Sequence, residues 1–134
     1  LAKKIMAKIT GIGGIFFKST APVALRNWYK EQLHFDIHEW GGSSFFWRDN
    51  DQPELKGRTE WSIMDAASTY MGKPEQQFMI NYRVDNLDEL LAELAEKGVE
   101  QIGETDVQPY GKFAWVLDGD GNRIELWEPQ EDGF

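Results

Sequence analysis

The two halves of this 134-residue chain repeat one order of elements, and a duplicated order leaves few ways to build a common core. Ile9 to Phe17 is rich in Ile and Phe and reads as a strand. A helix follows, with Ser19 or Thr20 as cap, Pro22 in its first turn and Leu25, Trp28, Tyr29 and Leu33 near helical spacing. Phe35 to Trp40, Phe45 to Arg48 and Thr59 to Met64 read as three short strands, separated by Gly41-Gly42 and the polar loop Asp49 to Gly57. After a connector from Ala66 to Glu75, Gln77 to Val84 reads as a strand. Asn86 or Asp85 then caps a helix whose Leu87, Leu90, Leu91 and Leu94 recur at i, i+3, i+4 and i+7, with Gly98 as its stop. Val99 to Ile102, Phe113 to Leu117 and Arg123 to Trp127 complete the second set. Each half is β-α-β-β-β, and an offset of 65 residues brings Leu25 onto Leu90, Tyr29 onto Leu94 and Glu60 onto Glu125. The expected fold class is α+β, with modules at 9–65 and 76–129 forming one domain and flexible ends at 1–8 and 130–134.

The closing hairpin carries the most informative single residue. Strand side chains alternate, so Arg123, Glu125 and Trp127 share one face while Ile124 and Leu126 share the other. The apolar pair goes to the core. A cation, an anion and an indole side by side suit either a ligand cavity or a salt-bridged outer surface. The turn Asp118-Gly-Asp-Gly-Asn122 begins like a calcium loop, but Arg123 and Pro129 stand where that motif needs Gly and Glu. It reads as a hairpin turn.

Six Trp, eight Phe and four Tyr exceed what core packing usually requires, which suits an aromatic-lined pocket or a subunit interface. A net charge of -9, with 14 scattered Lys and Arg, argues against a nucleic-acid partner. No segment is apolar enough to cross a bilayer or to serve as a secretory signal, and Met6 is the expected natural start. The chain has no cysteine, which fits a reducing cytosol, and a cytoplasmic location is expected. His34 and His38 fall around the end of the first helix and read as helix-end or surface residues.

Three stretches, Gly13-Gly-Ile-Phe-Phe-Lys with Trp28-Tyr29, then Met79 to Asn86, then Asp118 to Trp127, resemble the vicinal oxygen chelate superfamily, which includes glyoxalase I, bleomycin-resistance proteins and extradiol dioxygenases. The match covers roughly Ile9 to Pro129, and Asn-Arg-Ile-Glu-Leu is its most distinctive part. The resemblance implies paired βαβββ modules with pseudo-twofold symmetry, a curved mixed sheet around a shared cavity, and a homodimer. In metal-dependent members a His or Glu on the first strand of each module and a Glu on the last bind the ion. Those first-strand positions correspond here to Gly14 and Met79, neither a ligand for a hard divalent ion. Glu125 matches the last ligand and Glu60 is its repeat partner. No catalytic metal is expected, the alternative being a divalent ion held weakly by the two carboxylates.

The faces that the resemblance turns toward the cavity carry Phe16 and Lys18 beyond Gly14, and Asn81 and Arg83 beyond Met79, with Trp115 and Trp127 as aromatic walls. The expected function is binding of a small amphipathic or anionic molecule in an aromatic-lined cavity without a catalytic metal. The alternative is a glyoxalase-like lyase or isomerase, or a dioxygenase relative, in which Glu125 and Glu60 serve as catalytic base or partial metal site.

Overall fold

A computed structural model describes residues 7–130 of the chain. Seven strands form one sheet: β1 (Ile9–Ser19), β2 (Gly42–Arg48), β3 (Lys56–Asp65), β4 (Phe78–Val84), β5 (Asp106–Gln108), β6 (Gly111–Leu117) and β7 (Arg123–Pro129), in the order β2-β3-β1-β4-β7-β6-β5. Helix α1 (Pro22–Leu33) belongs to the first half and α2 (Leu87–Glu96) to the second. β1 and β4 meet antiparallel at the centre, each pairs outward in parallel with β3 or β7, and β2 and β6 follow antiparallel. Read outward from the β1–β4 junction the pairing is the same as far as β2 and β6, which is the pseudo-twofold expected of a duplicated module, and β5 adds an edge strand on the second side alone.

The leucine spacing of α2 does what its periodicity predicts. Leu90, Leu91 and Leu94 pack on a core of Val84, Leu87, Ala114, Val116 and Leu126. Asn86 caps the helix by accepting from the Glu89 N–H at 3.0 Å. A second carboxylate, Glu128 from β7, accepts from the Leu87 N–H at 2.7 Å and ties the helix start to the sheet. The first half is built differently. α1 buries no residue fully and lies against an aromatic cluster in which Trp61 meets Phe35, Tyr29 and Phe17 at ring distances of 4.6, 4.8 and 5.6 Å.

Four local expectations are corrected. The cap of α1 is Ala21, not Ser19 or Thr20; the Ser19 hydroxyl accepts from the Ala21 N–H at 2.9 Å and forms a turn before the helix. Phe35 to Trp40 is not a strand, because Phe35 is drawn into the aromatic cluster and the backbone closes a turn at His38 and Gly41 instead of pairing along β2. Val99 to Ile102 is also irregular, touching β6 through the Ile102 N–H to Trp115 carbonyl bond of 2.7 Å, and the edge strand forms later as β5. Within the expected flexible ends, Ala7 and Lys8 donate to Glu93 and Asp85 and Gln130 donates to the Tyr110 carbonyl, while residues 1–6, with Met6, and 131–134 lie outside the described residues. The fourth correction concerns β1, whose register shifts between Ile12 and Gly14. That bulge pairs Gly14 with Asn81, so Asn81 and not Met79 is the counterpart of Gly14 across the pseudo-twofold.

Candidate functional site

The bulge fixes the floor of a cavity. Register partners run in one row across six strands, from Ser44 through Glu60, Gly14, Asn81 and Glu125 to Trp115. Because cross-strand partners point the same way, the row brings both repeat-related glutamates to one face. Glu60, Asn81 and Glu125 line a cavity of about 310 Å³, and Phe16, Trp40, Tyr110, Phe113 and Trp127 give it aromatic walls. Arg58, Tyr70 and Asp106 add polar groups to its lining.

Glu125 is 3% exposed and has no cation within ion-pair distance among the described residues. Neutral donors hold it: Asn81 Nδ2 at 2.7 Å on Oε1, Trp115 Nε1 at 2.9 Å on Oε2, and the Tyr70 hydroxyl, also on Oε2. Such bonds to an ionised acceptor are stronger than neutral ones, which is how a carboxylate can remain buried without a counter-charge. Glu60 is held more loosely, accepting from Ser44 Oγ at 2.5 Å with Arg58 Nε at 3.7 Å.

Tyr70 comes from the connector between the modules and closes over Glu125. The residue is 41% exposed, yet its hydroxyl end faces inward. Burial and then the negative charge of Glu125 push the phenol well above its ordinary pKa. A phenol held protonated in the fold but free to ionise in the unfolded chain costs stability as pH rises above its ordinary value near 10, because the unfolded state then binds fewer protons. Below that value the effect is absent. Tyr70→Phe is therefore expected to flatten the alkaline limb of a urea-denaturation stability profile, and an unchanged limb would show that this phenol ionises freely.

The sequence-derived candidates divide. Glu125, Glu60, Phe16, Asn81 and Trp127 line the cavity, and Trp115 supports Glu125 from β6 while meeting Tyr70 edge to face at 6.0 Å. Arg83 lies in an adjoining cavity of about 240 Å³, its guanidinium 5.1 Å from the Trp127 ring and 5.3 Å from that of Trp47. It braces a wall. Lys18 is not part of the lining; its ammonium donates to the Pro74 carbonyl at 3.3 Å. Arg58, missed in the sequence, sits two residues before Glu60 on the same strand face, so alternation carried the signal. Nothing periodic marks Tyr70.

The residues do not fit the metal that the resemblance raises as an alternative. Gly14 offers no side-chain donor, and Asn81 turns its amide N–H toward Glu125. Three hydrogen-bond donors converge on the Glu125 oxygens and take three of the roughly four lone-pair sites for which a metal would compete. The described residues contain no group of three or more His, Cys, Asp or Glu placed to hold an ion. His34 is exposed in a left-handed conformation after α1 (φ 61°), and His38 lies 3.9 Å from Asp36.

No family model and no curated protein matches the chain. Solved structures do. Methylmalonyl-CoA epimerase from Streptomyces coelicolor, in complex with 2-nitronate-propionyl-CoA, is 18% identical with a TM-score of 0.67, over 92% of this chain and 97% of that one. The epimerase from Mycobacterium tuberculosis is 16% identical at a TM-score of 0.63, over 91% and 89%. An NAD-dependent benzaldehyde dehydrogenase structure from Legionella pneumophila is 12% identical at 0.56, over 87% and 98%. Identities this low carry the architecture and not the chemistry. With two modules joined at β1 and β4, one cavity over the junction, and epimerases of the vicinal oxygen chelate superfamily among its structural neighbours, this chain has the vicinal oxygen chelate fold.

Proposed function

We propose that the protein binds a small amphipathic molecule in the cavity between its modules and does so without a catalytic metal. The observation that carries this reading is the cavity itself: six aromatic side chains surround a short row of fixed polar groups, in a volume of about 310 Å³ that suits a ligand of one or two rings. Binding is favoured over proton transfer because three donors already occupy the Glu125 carboxylate, which leaves it little capacity to accept a substrate proton. Lys18, expected on the cavity-facing side of β1, is turned to Pro74 and offers no ammonium to an anionic ligand there.

The test uses a neutral amphipathic probe, 1-naphthalenemethanol, titrated by calorimetry and by tryptophan emission. Trp40 and Tyr110 are half-exposed walls, so their removal spares the core. Trp40→Ala and Tyr110→Ala are each expected to weaken binding about five- to tenfold, as loss of an aromatic contact does. Unchanged affinity in both variants would place the ligand elsewhere and end this reading.

A further inference from the structure

We infer that the ligand of this cavity carries a cationic nitrogen on a planar aromatic body, an inference that rests on the cavity being the binding site. Three carboxylates line it, Glu60, Asp106 and Glu125, against the single guanidinium of Arg58. Arg58 is already engaged, 3.7 Å from Glu60 and 5.8 Å from the centre of the Trp127 ring. The lining is net negative before any ligand enters. Its aromatic walls add to this, because ring faces present negative quadrupole density that attracts cations. A chain with a net charge of -9 also favours the approach of a cation over that of an anion.

The second observation is independent of charge. Asn81 is 2% exposed, and its Oδ1 atom has no hydrogen-bond partner. Its orientation is fixed: flipping the amide would set Oδ1 against the Glu125 carboxylate and forfeit the 2.7 Å bond from Nδ2. The free acceptor therefore faces Gly13, which lines the same cavity. A Cβ on residue 13 would collide with Oδ1, so glycine is what lets the amide oxygen lie against β1 at the cavity floor. A buried acceptor without a partner is costly unless a ligand satisfies it, and the complement of an amide oxygen is an N–H. An ammonium or a protonated ring nitrogen supplies that N–H together with the positive charge the carboxylates favour.

The experiment compares three probes sharing one ring system at neutral pH: 1-naphthylmethylammonium, 1-naphthalenemethanol and 1-naphthylacetate. The cation is expected to bind about tenfold or more tightly than the alcohol, and the anion weakest, in proportion to ring-face and carboxylate attraction. Asp106→Asn on the exposed rim is expected to lower the cation-to-alcohol ratio about threefold, and raising the salt concentration to lower it further. Gly13→Ala, which places a methyl group against Asn81 Oδ1, is expected to remove most of the preference. Equal binding of all three probes would overturn the cationic class while leaving the aromatic cavity as the binding site. Tighter binding of the anion would also overturn it. Failure of all three to bind would take down the cavity reading with it.

Discussion

Trp127→Ala is expected to destabilise the fold by about 3–5 kcal/mol, the range for emptying a buried tryptophan site. The indole is 3% exposed and stacks on Phe113 with ring centroids 5.6 Å apart and planes 6° from parallel. Its Nε1 donates to the Tyr110 carbonyl at 3.3 Å, and the guanidinium groups of Arg58 and Arg83 lie over its ring. Removing it opens the cavity into the core, takes the ring from under Arg58 and leaves Arg83 with Trp47 alone of its two ring contacts. Trp127→Phe keeps an aromatic face and should cost less than half as much. Urea denaturation of both variants checks the ordering, and a loss below about 1 kcal/mol for alanine would mean that the site collapses around the gap. Trp127 is a wall of the cavity and a member of the core at once, so its effect on binding has to be read at the less buried Trp40 and Tyr110.

The second large effect is expected at Glu125. Glu125→Ala leaves the Tyr70 hydroxyl, Asn81 Nδ2 and Trp115 Nε1 without their common acceptor, and a loss of about 3–4 kcal/mol follows from the cost of stranding buried donors. The cost should be shared with Tyr70. A double-mutant cycle with Tyr70→Phe is expected to show about 1–3 kcal/mol of coupling, since each residue stabilises the fold partly through the other. A neutral or stabilising Glu125→Ala would reverse the conclusion: the carboxylate would then be held against its own desolvation penalty for the sake of a ligand.

Some of this was legible in the residues. The Leu87, Leu90, Leu91 and Leu94 spacing led to a helix on the sheet, and the alternation of Arg123 to Trp127 put Glu125 on the face opposite Leu126. Such local periodicities survive folding because one face of each element must be buried. Phe35 to Trp40 and Val99 to Ile102 have strand-like composition, but a strand also needs a partner, and partners are chosen by the whole chain. Lys18 shows a related limit: alternation gave a face shared with Phe16 but not how far along β1 the cavity extends, and the connector covers that end through Pro74. The bulge at Gly13 shifted the pseudo-twofold counterpart from Met79 to Asn81, a two-residue change that no fixed offset could contain. Tyr70 was hidden because connectors have no period and its role arises only from where the chain between modules is laid.

The row from Ser44 to Trp115 has a consequence for how such a pocket can change its ligand. Consecutive members of its second half bond one another, so altering Asn81 or Glu125 unsatisfies the neighbour and is felt as instability before it is felt as altered recognition. Trp40, Tyr110 and Asp106 line the same space from half-exposed or exposed positions. Mutational freedom is therefore unequal around the cavity. A library confined to the rim could redirect selectivity while the floor stays constant, and one that randomised the floor would return mostly unfolded protein.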